Sequence, residues 1–203
     1  MNFISQLNTV LSAVQLHLVD GLTMLIFVWA VHLVNFFLHY HLNALGLRPR
    51  KMLGIPGIIF SPWLHGSFDH IFFNSAPLFV LFIFMQTLGT WTCLCATVTI
   101  ILVSGVLLWL FGRAAVHVGA SGLIMGYLGF IICETYFHQS PGSLVIGAVA
   151  IYYFGFALTS IIPTNSNISF EGHLFGLTAG AFASYSSCIQ PFKYISELIY
   201  PLL

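Results

Sequence analysis

The chain has 203 residues, of which 59% are hydrophobic and only 5% are charged, and its mean hydropathy is +0.98. An ordinary soluble domain carries roughly 25% charged residues, so this composition indicates an integral membrane protein that contacts the lipid bilayer. Five basic residues balance five acidic ones, which leaves no basic surface for a nucleic-acid partner.

Six apolar stretches follow one another along the chain, and each approaches the about 20 residues that a spanning helix needs. They run from Leu22 to Tyr40, His70 to Leu88, Thr92 to Phe111, Ser121 to Phe137, Ser143 to Ile161 and Gly172 to Ile189. The sequence therefore predicts an all-α membrane protein with a six-transmembrane-helix bundle. We expect a single domain over residues 1–203 with its core at about residues 22–190.

The two ends of the chain are expected to be short tails, residues 1–21 and 191–203. The first of these lacks the basic region of a signal peptide, so we interpret it as an amphipathic or disordered lead-in.

One connection, from His41 to Asp69, is far longer than the others. Its apolar patch from Ile55 to Leu64 is interrupted by proline and glycine and is too short to span a bilayer. Irregular backbone at membrane depth needs protein or water to satisfy its polar groups. We therefore expect a long structured first loop that lies beside a water-filled site.

Ser121 lies between small residues at the start of the fourth stretch, in the run Gly119-Ala120-Ser121-Gly122. A serine between glycines is often structural, since small residues allow helices to pack closely. However, the flanking glycines would also let a substrate backbone approach the hydroxyl. The amide groups at a helix N-terminus would favour the negative charge that develops there. Ser121 is thus a candidate nucleophile.

His173 opens the sixth stretch and is the candidate base for Ser121, because imidazole can accept a serine proton near neutral pH. A core histidine bonded to a carbonyl is the alternative interpretation. On a helix, Gly176 and Gly180 would lie on nearly the same face as His173. Gly122 and Gly126 form a matching small-residue pair on the fourth stretch, so the two helices are predicted to pack closely and to bring Ser121 to His173.

The second stretch carries two further polar side chains, His70 and Asn74, which are four residues apart and share a helix face. Both can donate a hydrogen bond, and two donors on one face suit an oxyanion. Hydrogen bonding between helices is an equally simple explanation of this pair. Glu171 would point away from His173, so a Ser-His dyad without a carboxylate is predicted.

These motifs together resemble the rhomboid family of intramembrane serine proteases. The resemblance rests on His65, Ser67, His70 and Asn74, on the Gly119–Gly122 motif, and on His173, Gly176 and Gly180. It implies that Ser121 attacks a peptide bond in or near a transmembrane segment of a substrate protein while His173 acts as base and then acid. His70, Asn74 and the Ser121 amide would hold the oxyanion. It also implies a multi-pass protein of the bacterial inner membrane.

Two features depart from the family pattern. Pro56-Gly57 stands where rhomboids usually carry a Trp-Arg pair, so the first loop must be anchored differently. Basic residues also favour the active-site side of the membrane, with Arg48, Arg50, Lys51 and Arg113 there against Lys193 opposite. The positive-inside rule thus places this side in the cytoplasm. The resemblance implies the reverse orientation, with the first loop and the active site facing away from the cytoplasm, and this is the orientation we expect.

Other kinds of site are not expected. His39 and His41 lack carboxylate or thiolate companions, and the four cysteines show no metal-binding spacing, so neither a metal nor a cofactor is predicted. The main alternative function is an inactive rhomboid-like protein that binds transmembrane clients. Because such relatives usually lack the serine or the histidine, the sequence favours the protease. A transporter is disfavoured, since no internal repeat is visible.

Overall fold

A computed structural model describes residues 3–163 and 169–185. Its helices are α1 (Phe3–Leu16), α2 (Leu18–Phe37), α3 (Gly57–Phe60), α4 (Phe68–Thr87), α5 (Thr90–Phe111), α6 (Ser121–His138), α7 (Pro141–Phe154) and α8 (Phe170–Tyr185). Short 3₁₀ helices lie at His41–Leu45, Met52–Gly54, Ser61–Trp63 and Gly155–Ile161. The described part of the chain contains no β-strand, which confirms the all-helical prediction.

Each of the six predicted stretches overlaps a helix, although the predicted end of the last one, Ile189, lies outside the described residues. Four described helical segments are long and apolar enough to cross a membrane: Leu18–Phe37, Phe68–Thr87, Thr90–Phe111 and Pro141–Ile161. Helices α6 and α8 are richer in glycine and lie deeper in the protein. The count of six spans therefore stays a prediction.

The N-terminal lead-in is more ordered than the sequence indicated. It forms helix α1, which packs against α7. Helix α2 then begins at Leu18, four residues before the expected start at Leu22. Val10 and Val14 are half-buried against the protein core, whereas Ile4, Leu11 and Leu16 are exposed, so α1 packs on the outside of the helical bundle.

The protein core is centred on α6, whose residues from Leu123 to Ile131 are all buried. Tyr127 is fully buried there, and its hydroxyl pairs with the Thr97 hydroxyl of α5 at 2.8 Å. This bond satisfies a polar group that would otherwise be costly to bury.

Helices α6 and α8 approach each other closely through glycine. A Cβ atom added at Gly176 or Gly180 would overlap the carbonyl oxygen of Gly122 or Gly126, respectively. Gly126 itself differs from expectation, because its missing side chain points at Ile100 of α5. The approach is made from both sides, since Gly129 of α6 lies in the same way against the Leu177 carbonyl of α8, and it sets the starts of both helices side by side.

The first loop is held to the rest of the protein by backbone contacts. Leu47 forms a two-way bridge with His117, with N–O distances of 3.0 and 2.8 Å. Gly57 lies so close to the Leu47 backbone that no side chain fits there. This contact requires glycine at position 57 and anchors the first loop.

Candidate active site

A cavity of about 520 Å³ opens where α4, α6 and α8 begin. Its walls include Ser121, His173, His70 and Asn74, all of which are half-buried. The structure therefore brings all four predicted side chains to one accessible space. No hydrogen bond joins Ser121 to His173 among the described residues, as is common in enzymes without bound substrate.

Ser121 is the first residue of α6, and the backbone before it is sharply turned. Gly119 has a φ of +124°, a conformation that favours glycine, and its amide donates to the Ser61 carbonyl at 2.9 Å. Glycine is needed here for a second reason. A Cβ atom would lie 2.6 Å from Nε2 of His70 and 3.7 Å from Nδ2 of Asn74.

His70 and Asn74 therefore lie against the backbone that leads to Ser121, the candidate nucleophile. His70 occupies the first turn of α4, where Ser67 caps the helix by accepting from the His70 amide at 3.2 Å. Nδ2 of Asn74 is buried and has no partner in the described part of the chain. It is a free donor at the wall of the cavity, as an oxyanion site requires.

His173 has a partner that the sequence did not indicate, the hydroxyl of Ser160. Nδ1 of His173 lies 2.6 Å from Oγ of Ser160, whose own proton is directed at the Ala157 carbonyl. A hydroxyl has a single proton to donate, so Nδ1 of His173 must be the donor in the first bond. Nε2 is then left unprotonated, which is the tautomer that a general base needs.

His65 belongs to the same motif as His70 and Asn74, and it lies behind these two predicted oxyanion donors. It is fully buried, its ring centroid is 5.1 Å from that of His70, and Nε2 accepts from the Ala120 amide at 3.4 Å. Burial, followed by the charges of His70 and His32, lowers the pKa of His65 to about 3. His65 is consequently neutral near pH 7 and can keep accepting from Ala120, the residue before Ser121.

A further hydrogen bond links the two segments that precede the catalytic candidates. Nε2 of His117 faces the Arg113 carbonyl at 3.2 Å and must donate to it, so Nδ1 accepts from the Ser169 hydroxyl at 2.8 Å. Burial lowers the pKa of His117, which favours this neutral form. His117 and Ser169 each lie four residues before a predicted catalytic residue, so their bond fixes the spacing between α6 and α8.

Glu171 lies away from His173, as its position two residues earlier implied. It is buried and pairs with Arg113, with 3.7 Å between Nε and Oε1 and 3.3 Å between the Arg113 amide and Oε1. The carboxylate thus holds the loop before α6. Long-range partners such as Ser160, Ser169 and Arg113 carry no motif, which is why sequence reasoning missed them.

Comparison with known proteins agrees with this architecture. The chain matches the Rhomboid domain over residues 54–190. An uncharacterized protein of Mycobacterium tuberculosis is 35% identical over 179 residues, which cover 82% of this chain and 75% of that protein. One of Mycobacterium leprae is 29% identical over 180 residues, covering 83% and 71%. Since the domain match extends over more than half of the 203 residues, the chain belongs to the rhomboid family of integral membrane proteins.

Proposed function

We propose that the protein is an intramembrane serine protease that hydrolyses peptide bonds in or near transmembrane segments of other membrane proteins. The observation that carries this proposal is the shared cavity of Ser121, His173, His70 and Asn74. We further propose that residues 1–203 act as one domain with six spans in a bacterial inner membrane.

The proposed reaction begins when Oγ of Ser121 attacks the peptide carbonyl and Nε2 of His173 takes the serine proton. The tautomer fixed by Ser160 supports this direction of proton transfer. The carbonyl oxygen gains negative charge, for which His70, Asn74 and the Ser121 amide are the proposed donors. His173 then returns the proton to the leaving amine, and water hydrolyses the acyl-enzyme.

The test is cleavage of a single-span reporter protein by the purified full chain, together with labelling by a fluorophosphonate. We expect Ser121→Ala and His173→Ala each to abolish cleavage and the former to abolish labelling. The double variant should resemble either single variant, because the two residues act as a unit. Thr87→Ala is the control, since that hydroxyl lies at the far end of α4 and, within the described part of the chain, bonds only to the Phe84 carbonyl.

Cleavage by Ser121→Ala at the wild-type rate would refute the assignment. Stable binding of the reporter by the wild type, with neither cleavage nor labelling, would instead support the inactive client-binding alternative.

A further inference from the structure

The basic residues near the active site have unequal surroundings. Nη1 of Arg50 donates to the carbonyl groups of Leu110 and Gly112 at 3.1 and 2.8 Å. Arg113 is paired with Glu171. By contrast, the side chains of Arg48 and Lys51 make no hydrogen bond or ion pair with the described part of the chain. Two positive charges thus remain for a ligand.

Arg48 and Lys51 line the same surface cavity of about 250 Å³. Pro49 completes one wall, and the opposite wall is the segment 114–116. Arg48 is partly exposed, and its Nε atom is buried without a partner, whereas Lys51 is exposed. An anion in this cavity could therefore meet a guanidinium and an ammonium group at once.

The cavity is built on restrained backbone. The Arg50 amide donates to the Trp109 carbonyl at 2.9 Å, and the Trp109 indole donates to the Lys51 carbonyl at 3.0 Å. Gly54 lies so close to the Arg48 carbonyl that a side chain there would clash. The backbone that carries the two cations is thus held in place before any ligand arrives, which lowers the entropic cost of binding.

Large apolar side chains adjoin these charges. Met52 and Leu53 directly follow Lys51, and each is 77% exposed. Val116, in the opposite wall, is 48% exposed. An exposed apolar edge next to paired cations fits the membrane interface, where a phosphate group and acyl chains lie side by side.

We propose that this cavity binds the phosphate of an anionic phospholipid, with Arg48 and Lys51 on the headgroup and with Met52 and Leu53 among the acyl chains. The site also has a link to the catalytic centre, because Ala115 and Val116 line both this cavity and the 520 Å³ cavity. A bound headgroup restrains that shared wall. On the basis of the proposed protease function, anionic lipid also raises the cleavage rate.

Binding is tested by thermal unfolding of the detergent-solubilised full chain. Phosphatidylglycerol should raise the wild-type Tm in a concentration-dependent manner, whereas phosphatidylcholine and inorganic phosphate at the same concentrations should not. Arg48→Gln and Lys51→Gln should each weaken the apparent affinity about tenfold, the size expected for one charge-assisted contact. Lys51→Arg should retain binding, and Lys193→Gln is a control that removes the same charge elsewhere in the sequence.

Each result tests a different part of the proposal: the lipid ligand, the site, or its effect on cleavage. An equal shift from inorganic phosphate would mean a free-anion site and would overturn the lipid assignment. If phosphatidylglycerol does not raise the Tm of the wild type, the proposed site is wrong. It is also wrong if phosphatidylglycerol raises the Tm of the double variant Arg48→Gln/Lys51→Gln as much as that of the wild type. Since unfolding reports binding without cleavage, these results do not depend on the protease proposal. Reporter cleavage in vesicles with and without phosphatidylglycerol then tests the coupling.

Discussion

At the scale of single residues, the tautomer of His173 depends on which group accepts the proton of the Ser160 hydroxyl. Ser160 donates to Ala157 and so can only accept from Nδ1 of His173, which leaves Nε2 unprotonated for its proposed role as the base. In many serine hydrolases a carboxylate holds the base histidine in this way. In this chain the carboxylate nearest in sequence, Glu171, is bonded to Arg113 instead.

Ser160→Ala should therefore slow the proposed reaction without blocking it. A hydrogen bond between neutral groups contributes about 0.5 to 1.5 kcal/mol, so we expect kcat to fall about 2- to 10-fold with KM unchanged. Ser160→Thr retains a hydroxyl and should restore the rate. The measurement is steady-state cleavage of the reporter protein.

The matched control is Thr159→Val, which removes an exposed hydroxyl bonded only to the Phe156 carbonyl. If Ser160→Ala changes KM alone, or changes nothing, His173 is oriented by other contacts.

The meeting of four polar side chains in one cavity could be predicted from the sequence, because each belongs to a short motif with helical spacing. These are Ser121, His173, His70 and Asn74. The contact with Ser160 could not be predicted, since this residue lies 13 residues before His173 in a 3₁₀ helix whose fold is set by its neighbours. Spacing within one helix is fixed by geometry, whereas contacts between elements depend on tertiary packing.

At the scale of secondary-structure elements, the close approach of α6 and α8 depends on how each helix is rotated about its axis, which a sequence pattern does not give. The small-residue spacing at Gly122, Gly126, Gly176 and Gly180 correctly indicated which helices meet. It did not indicate that the α8 glycines face carbonyl oxygens while Gly126 faces Ile100. Rotation of a helix about its axis is set by all of its neighbours, so it cannot be read from one motif.

Gly176→Ala and Gly180→Ala should each destabilise the protein, because the new methyl group would overlap a backbone carbonyl of α6. Overpacking typically costs about 1 to 3 kcal/mol, which exceeds the roughly 1 kcal/mol that alanine gains over glycine in a helix. Cleavage should decline together with Tm, since the starts of α6 and α8 would separate.

Gly142→Ala is the matched control on α7. A Cβ atom at Gly142 would meet only the Val10 side chain, at 3.4 Å, which is ordinary contact. We therefore expect an unchanged or slightly raised Tm for this variant. Wild-type Tm in Gly176→Ala or Gly180→Ala would show that the two helices can separate without loss.

At the scale of the whole molecule, composition and spacing predicted an all-helical membrane protein and the order of six apolar stretches, each of which overlaps a helix. That α1 is ordered does not follow from them, because a 14-residue helix at the chain end is stabilised by packing on α7 rather than by its own sequence. The structure also shows that the basic residues near the candidate active site have different partners, which the sequence does not reveal. Arg113 is paired with the Glu171 carboxylate, whereas Arg50 donates only to neutral carbonyl groups and keeps its full charge.

The buried histidines also make the stability of the whole molecule sensitive to pH. The pKa of His65 is about 3 in the folded protein, and that of an unfolded histidine is about 6.5. Above pH 6.5 both forms are neutral, so the folded state keeps its full stability. Between pH 6.5 and 3 the unfolded chain binds a proton that folded His65 does not, and stability falls as pH falls. Burial also lowers the pKa of His117, so this residue likewise makes the folded state less stable as the pH falls.

Acidification from pH 7.5 to 5 should therefore destabilise the wild type by about 2 kcal/mol through His65 alone, at about 1.4 kcal/mol per pH unit below pH 6.5. The measurement is denaturant unfolding in detergent at several pH values. His65→Gln cannot take up this proton, so the slope of its unfolding free energy against pH should be smaller by that amount, even if the variant is less stable at every pH. Equal slopes in His65→Gln and the wild type would mean that folded His65 gains its proton near pH 6.5, and its bond to the Ala120 amide would then be lost on mild acidification.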